Sequence, residues 1–279
     1  MKHSHSKIQT RGGVSLHMTV YEAETDSAPG ATREMLLLHG WPNAGRIWEP
    51  LAQALTLADP RLRCFAPDLR GYGDSDRPES GYHCETFADD VLDTAAALGL
   101  KRYTLLGHSM SGKIAQIVAS RQPPELCTLV LVTPGLLAAS PPVDIAGRKA
   151  IYGDASQVRD LVVGWAAHPL PAASADLLVE DALRMDRAAW NGWLAPMRDE
   201  DFFRDAARIT VPTLVVGGGK DPQRMEEELR RGVVAQIRGA EYARLPGSGH
   251  LPHLEEPDAL AALIVNFLDR LPGGERVSP

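Results

Sequence analysis

The chain has 279 residues, of which 44% are hydrophobic and 23% are charged, and its net charge is −7. These values fit one globular domain with an inserted subdomain, and the acidic balance argues against a nucleic-acid partner. The sequence contains no 18-residue apolar stretch, so we expect no membrane span. The three cysteines form no C-x-x-C pair, and we expect a cytoplasmic protein with reduced thiols.

Strand-like and helix-like segments alternate along the chain, which predicts a mostly parallel sheet covered by helices. The N-terminal M-K-H-S-H-S-K lacks the apolar core of a signal peptide, and we expect a frayed polar end there and a loose tail at 272–279. The predicted strands are Val14–Tyr21, Met35–His39, Arg63–Ala66, Tyr103–Gly107, Leu126–Val132, Thr213–Gly217 and Tyr242–Leu245. The predicted helices are Trp48–Thr56, Phe87–Leu98, Met110–Arg121, Arg224–Ala235 and Pro257–Arg270.

The alternation stops between Pro134 and about Arg208, where proline clusters such as Pro141-Pro142 accompany helical patterns without apolar strands. We interpret this segment as a helical insertion at the carboxyl edge of the sheet, where ligands bind in such folds. The predicted division is 1–134 for the first part of the core, 135–208 for a helical cap, and 209–279 for the second part of the core.

Residues 106–113 read L-G-H-S-M-S-G-K and join a predicted strand to a predicted helix. This order resembles the nucleophile elbow of α/β-hydrolases, in which a strained turn projects the serine away from the sheet. Ser109 is then the nucleophile, with a helix N-cap as its structural alternative. Ser111 stands where a second glycine is usual, and it is the weaker nucleophile candidate because it lies inside the first helical turn.

A serine hydroxyl needs a base, and the base needs an orienting carboxylate. Asp221 follows the predicted strand T-L-V-V-G, and His250 lies in the loop after the last predicted strand, in the order Ser, acid, His. Alone, Asp221 could be a turn residue and His250 a loop histidine bonded to backbone. The rivals are His253 as base, and Asp199 and Asp205 as acids.

The stretch L-L-L-H-G-W-P at 36–42 ends a predicted strand at a glycine turn. The backbone N–H groups of Trp41 and Met110 are therefore predicted to form an oxyanion hole. We interpret His39 as a structural residue that holds this loop by hydrogen bonds.

Five stretches, in order, resemble the α/β-hydrolase superfamily over nearly the whole chain. They are H-G-W-P at 39–42, P-D-L-R-G-Y-G-D-S-D-R-P at 67–78, G-H-S-M-S-G at 107–112, G-G-G-K-D-P at 217–222 and G-S-G-H-L-P-H-L-E-E-P at 247–257. The resemblance implies a mostly parallel sheet of about eight strands flanked by helices, a helical cap after the sixth strand, and a Ser109/Asp221/His250 triad. Within the second stretch, we interpret Asp68 and the glycines as a packed structural turn.

Departures from related families narrow the expected activity. Epoxide hydrolases and haloalkane dehalogenases have aspartate at the elbow, whereas this chain has Ser109, which favours acyl transfer over alkyl-enzyme chemistry. The H-G-G-P-G of proline iminopeptidases and the glycine-rich loop of meta-cleavage C–C hydrolases are absent. The chain looks similar to small bacterial carboxylesterases, lactonases and cofactor-free perhydrolases.

We therefore expect a serine hydrolase that cleaves small to medium apolar esters or lactones through an acyl-enzyme. The resemblance implies a small-molecule ester as partner, no metal or organic cofactor, and no nucleic-acid or membrane partner; it leaves the oligomeric state open. The alternatives are perhydrolysis or C–C cleavage on the same triad, and a ligand receptor of low turnover.

Aromatic residues cluster in the predicted cap of a chain that is otherwise poor in them. Trp165, Trp190 and Trp193 are predicted to contact an apolar substrate. The alternative is that these rings pack the cap onto the core.

Overall fold

The computed structural model describes residues 1–24, 31–140 and 143–271. Within these ranges, eight strands form one sheet in the order β1-β2-β4-β3-β5-β6-β7-β8. The strands are β1 Lys2–Gln9, β2 Ser15–Glu22, β3 Arg33–Leu38, β4 Leu62–Pro67, β5 Tyr103–His108, β6 Leu126–Val132, β7 Thr213–Gly218 and β8 Glu241–Leu245. β2 runs antiparallel to both β1 and β4, and all other neighbouring strands are parallel. The predicted fold class, a mostly parallel eight-stranded sheet with flanking helices, is confirmed.

The expectation of a frayed N-terminal end is wrong, because residues 2–9 form β1. This strand pairs with β2 over its whole length, from Lys2 opposite Glu22 to Gln9 opposite Ser15. Ile8 is the one buried side chain of β1. An edge strand needs only backbone hydrogen bonds from its neighbour, so its polar sequence carries no apolar alternation that would reveal it.

Ten α-helices lie in the described ranges. They are α1 Glu49–Ala58, α2 Cys84–Ala97, α3 Met110–Ser120, α4 Ile145–Ala150, α5 Ala155–Val163, α6 Ala172–Arg184, α7 Arg187–Gly192, α8 Glu226–Gly232, α9 Pro252–Glu255 and α10 Pro257–Arg270. α1 packs on α10, and α2 packs on α3. Their apolar faces cover strands such as β5, which is buried at every position, so the core lies between sheet and helices.

Four helices, α4 to α7, lie between β6 and β7, followed by a π-helical turn, Trp193–Met197, and a 3-10 helix, Phe203–Arg208. Residues 143–208 of this insertion are called the cap region below. The predicted domain boundaries stay a prediction, and the Pro141-Pro142 cluster and the predicted tail at 272–279 lie outside the described residues. Among the residues that are described, no helix combines the length and apolar character needed to cross a membrane.

Candidate active site

The bend between β5 and α3 holds Ser109 in an unusual backbone conformation, with φ 50° and ψ −116°. An L-residue rarely adopts a positive φ, so surrounding contacts must hold it. The Ser109 carbonyl accepts hydrogen bonds from the N–H groups of Gly112 at 2.9 Å and Gly135 at 2.7 Å. A Cβ at Gly107 would lie 2.4 Å from the Ser111 carbonyl oxygen, so the turn requires glycine at 107.

The serine at the usual glycine position fits into the elbow. Ser111 is fully buried in the first turn of α3, and its hydroxyl donates a hydrogen bond to the His39 carbonyl. The bond joins the elbow helix to the loop after β3. The Ser111 hydroxyl therefore holds α3 to this loop and lies away from the apex of the turn, which Ser109 occupies.

Ser109, His250 and Asp221 form a continuous chain of hydrogen bonds. Ser109 Oγ lies 2.9 Å from His250 Nε2, and His250 Nδ1 lies 2.8 Å from Asp221 Oδ2. The Asp221 side chain is completely buried, and that of His250 is 5% exposed. An ionised carboxylate only accepts hydrogen bonds, so Nδ1 carries the proton and Nε2 is left to accept the Ser109 proton.

Backbone groups hold the acid in place. Asp221 Oδ1 accepts hydrogen bonds from the N–H groups of Gln223 at 2.7 Å and Arg224 at 3.1 Å. These bonds leave Oδ2 for His250, so the turn-residue role and the acid position predicted from the sequence occur together in one side chain.

The rival base and acids lie apart from the nucleophile's hydrogen bonds. The His253 ring is buried, with its centroid 4.6 Å from that of His108 and 4.8 Å from that of Trp48, and burial lowers the His253 pKa to about 3. Asp199 is exposed, and Asp205 lies in a 3-10 helix, 3.6 Å from Arg208. The structure brings Asp221 and His250, rather than these residues, to Ser109.

The loop after β3 lies directly against the elbow. A Cβ at Gly40 would lie 3.1 Å from Ser109 Cβ. The backbone just before Trp41 therefore packs directly against the nucleophile. Met110 is the first residue of α3, where an N–H group has no acceptor within the helix. The oxyanion-hole role of the Trp41 and Met110 N–H groups stays a prediction that this placement favours.

His39 uses both ring nitrogens within the core. Its Nε2 accepts the Leu69 N–H at 3.1 Å, and its Nδ1 lies 3.0 Å from the Gly40 carbonyl oxygen. Burial lowers its pKa to about 4, so the ring is neutral at physiological pH. These contacts fit the structural role expected for His39.

The turn at Asp68 also holds this region together. Asp68 Oδ1 accepts the Gly45 N–H at 2.6 Å, and Oδ2 lies 2.9 Å from both the Asp74 N and His17 Nδ1. The carboxylate thus connects β2, the loop after β3 and its own loop, as expected for a packed structural turn.

Two of the three predicted substrate-binding tryptophans adjoin the site. The Trp165 ring centroid lies 5.9 Å from that of His250 and 6.0 Å from that of Trp41. The Trp190 centroid lies 4.6 Å from that of Trp41. Trp193 instead lies 5.8 Å from the Arg198 guanidinium carbon. All three rings are buried, as cap-to-core packing requires, and their contact with substrate stays a prediction.

Three side chains that no sequence pattern singled out join the cap region to the catalytic loops. Buried Asp181 accepts the Ala44 N–H at 3.0 Å and Arg46 Nε at 2.7 Å. Buried Lys113 donates to the Met197 carbonyl at 3.0 Å. The third is Glu255, which contacts residues 246–251, the loop between β8 and α9 that is called the histidine loop below. Their partners lie 84 or more residues away, except for the near contacts of Glu255, so local periodicity carries no signal for them.

Comparison with known proteins places this geometry in a family. The sequence model of the alpha/beta hydrolase family matches residues 35–263. An AB hydrolase superfamily protein of Bacillus subtilis is 32% identical over 271 residues, which cover 90% of this chain and 96% of that protein. A protein of Synechocystis named as a putative non-heme chloroperoxidase is 27% identical, covering 86% of this chain and 92% of its own.

A solved structure shares the fold at lower identity. The esterase from Exiguobacterium antarcticum superposes with a TM-score of 0.81 at 24% identity, covering 95% of this chain and 99% of that one. At this identity the likeness shows the fold alone.

Proposed function

This chain belongs to the alpha/beta hydrolase family, and we propose that it is a serine hydrolase that cleaves carboxylic esters or lactones through an acyl-enzyme. The observation that carries the proposal is the hydrogen-bonded series Ser109 Oγ, His250 Nε2, His250 Nδ1 and Asp221 Oδ2, with distances of 2.9 and 2.8 Å. Small to medium apolar esters are the proposed substrates, because the Trp165 ring lies beside the His250 imidazole and begins an apolar cluster with Trp41 and Trp190.

In the first half-reaction, Ser109 Oγ attacks the ester carbonyl carbon while His250 Nε2 takes the hydroxyl proton. Asp221 keeps the imidazole in the required tautomer and stabilises its charged form. The backbone N–H groups of Trp41 and Met110 receive the developing oxyanion. The C–O bond to the alcohol then breaks, and His250 returns the proton to the leaving oxygen.

In the second half-reaction, water attacks the acyl-enzyme. His250 takes a proton from the water, the tetrahedral intermediate collapses, and Ser109 Oγ leaves with that proton. The products are the carboxylic acid and the free enzyme. A lactone follows the same steps, except that its alcohol stays attached to the acyl group.

Perhydrolysis is the second candidate, favoured by the chloroperoxidase name of the Synechocystis relative. Hydrogen peroxide would attack the acyl-enzyme in place of water, His250 would pass its proton to the departing Ser109 Oγ, and the product would be a peroxycarboxylic acid. Product analysis of ester turnover with and without hydrogen peroxide separates the two. Peracid as the main product at low peroxide concentration would favour perhydrolysis over hydrolysis.

The test of the proposal is the loss of one oxygen. Ser109→Ala is expected to abolish labelling by a fluorophosphonate probe and turnover of p-nitrophenyl esters, with the circular dichroism spectrum retained. Ser111→Ala, which removes the neighbouring hydroxyl, is the matched control and should still be labelled. Equal labelling of the Ser109→Ala variant and the parent protein would overturn the proposal.

A further inference from the structure

The Glu255 carboxylate collects backbone N–H groups from both sides of His250. Glu255 Oε1 accepts from Gly249 N and Leu251 N, each at 3.0 Å, and Oε2 lies 2.9 Å from Gly249 N. The backbone N–H groups of the two residues that flank the histidine in sequence are therefore bonded to one side chain. Rotation of either peptide would break a charge-assisted hydrogen bond, which is stronger than a neutral one.

The same carboxylate reaches into the cap region. Glu255 Oε2 accepts the Ala167 N–H at 2.7 Å, and the His250 N–H donates to the Trp165 carbonyl at 2.9 Å. Residues 165–167, called the cap strap here, thus bond to the histidine loop through both a donor and an acceptor. A Cβ at Gly249 would lie 2.4 Å from the Trp165 carbonyl oxygen, so the two backbones are in direct contact.

The His250 carbonyl is held as well. His108 Nε2 lies 2.8 Å from it, and Thr133 Oγ1 donates to it at 3.1 Å. The N–H and carbonyl groups of His250 and the N–H groups of both neighbouring residues are therefore hydrogen-bonded. These bonds restrict the backbone conformation of His250. Glu255 joins the Gly249 and Leu251 N–H groups to the cap strap through Ala167. The Trp165 ring of the strap lies beside the imidazole.

We propose that Glu255 is a positioning residue that fixes the His250 backbone and holds the cap strap, with Trp165, against the catalytic histidine. The inference rests on the proposed function for its effect on catalysis. Glu255 touches no reacting atom; it acts through the placement of Nε2 relative to Ser109 Oγ. A misplacement of about 1 Å can cost about 100-fold in rate.

The next residue is a matched control. Glu256 directly follows Glu255 at the end of α9 and has the same side chain, yet its carboxylate accepts a hydrogen bond from Ser248 Oγ at 2.6 Å. Glu255→Gln and Glu256→Gln each remove one negative charge near His250. Any difference between the two variants therefore reports the backbone bonds rather than the charge.

The experiment compares the parent protein, Glu255→Gln and Glu256→Gln in two ways. The glutamine amide has one acceptor oxygen, whereas the carboxylate makes four contacts with its two oxygens. For turnover of p-nitrophenyl esters, Glu255→Gln is therefore expected to lower kcat about 10- to 100-fold, with KM changed only a few-fold. By NMR hydrogen exchange, the Ala167, Gly249 and Leu251 amides should exchange faster in Glu255→Gln alone.

The outcomes separate this inference from the proposed function. If the parent protein neither turns over esters nor reacts with a fluorophosphonate, the proposed function fails, and amide exchange alone then decides whether Glu255 fixes the loop. If both variants match each other in kcat and in amide exchange, the positioning role is overturned. Should Glu255→Gln fail to fold, Glu255→Asp keeps the charge on a shorter side chain. This variant is then expected to show a smaller kcat loss and a smaller increase in amide exchange, and values equal to those of the parent protein would overturn the positioning role.

Discussion

The catalytic edge of the sheet and the cap region are held by different kinds of contact. Ser109, Asp221 and His250 lie one, three and five residues beyond the ends of β5, β7 and β8, where backbone pairing sets their positions. The cap region is attached through separate side-chain contacts, such as Asp181 to the Ala44 N–H and Lys113 to the Met197 carbonyl. The positions of the reacting groups thus depend on the sheet, whereas the position of the cap region beside them depends on long-range side-chain contacts.

This difference predicts that variants at the sheet edge lose rate with little loss of stability, and that variants in the cap region lose stability with less change at the reacting groups. Three substitutions test the contrast, from the largest expected effect to the smallest, and a fourth tests the buried histidine beside the site.

Asp221→Asn should have the largest effect, and on rate alone. The amide keeps the shape of the carboxylate but favours the wrong His250 tautomer, which in a comparable triad costs about 10⁴-fold in kcat. Ester turnover measures the loss, and urea denaturation should show a change in the free energy of unfolding that is small beside it. A kcat within 10-fold of the parent value would remove Asp221 from the triad.

Trp190→Ala should show the opposite behaviour. Trp190 is fully buried against the Trp41 ring, and its Nε1 donates to the Arg148 carbonyl at 3.0 Å. Its truncation leaves a cavity and is expected to lower the free energy of unfolding by about 3–5 kcal/mol. The folded fraction should still react with a fluorophosphonate, because the triad is unchanged.

Leu183→Ala is the control in the same region, since Leu183 is 37% exposed on α6. Its effect on the free energy of unfolding should stay within about 0.5 kcal/mol. Equal destabilisation by the Trp190 and Leu183 variants would show that the Trp41–Trp190 contact does not hold the cap.

His253→Phe should alter how stability depends on pH. Burial lowers the His253 pKa to about 3, whereas an unfolded histidine has a pKa of about 6.5. The unfolded chain therefore binds the proton first, so this contribution to stability is present above pH 6.5 and is lost as the pH falls toward 3. At pH 5 the loss from His253 is about 2 kcal/mol.

Phenylalanine keeps the ring contacts with Trp48 and His108 and removes the proton site. Urea denaturation of both proteins at pH 7.5 and pH 5.0 should therefore show a smaller drop in the free energy of unfolding for His253→Phe. An equal drop in the two proteins would mean that His253 is protonated as easily in the folded state as in the unfolded chain.

Much of the fold and the site could be predicted from local patterns. Buried strands such as β6, Leu126–Val132, are apolar at nearly every position, and the predicted bounds of α10 coincide with the observed helix. The carboxyl ends of parallel strands share one edge of a sheet. Together with the resemblance to the nucleophile elbow, the order of Ser109, Asp221 and His250 after three such strands predicted that they meet.

Other features depend on contacts between distant parts of the chain. β1 is polar and exposed, so only its pairing with β2 reveals it as a strand. His250 and His253 have the same side chain three residues apart, and their different environments separate the ring that meets Ser109 from the ring that packs on Trp48.

The sequence by itself determined seven of the eight described strands, five of the helices and the edge at which the elbow serine, the acid and the histidine assemble, because strand periodicity and glycine turns are local properties. Only the tertiary structure decided that Ser111 bonds to the His39 carbonyl, and that Glu255 rather than Glu256 joins the cap strap to His250. The physical reason is that a hydrogen bond between distant segments depends on where the whole chain places its donor and acceptor, and no short stretch of sequence encodes that distance.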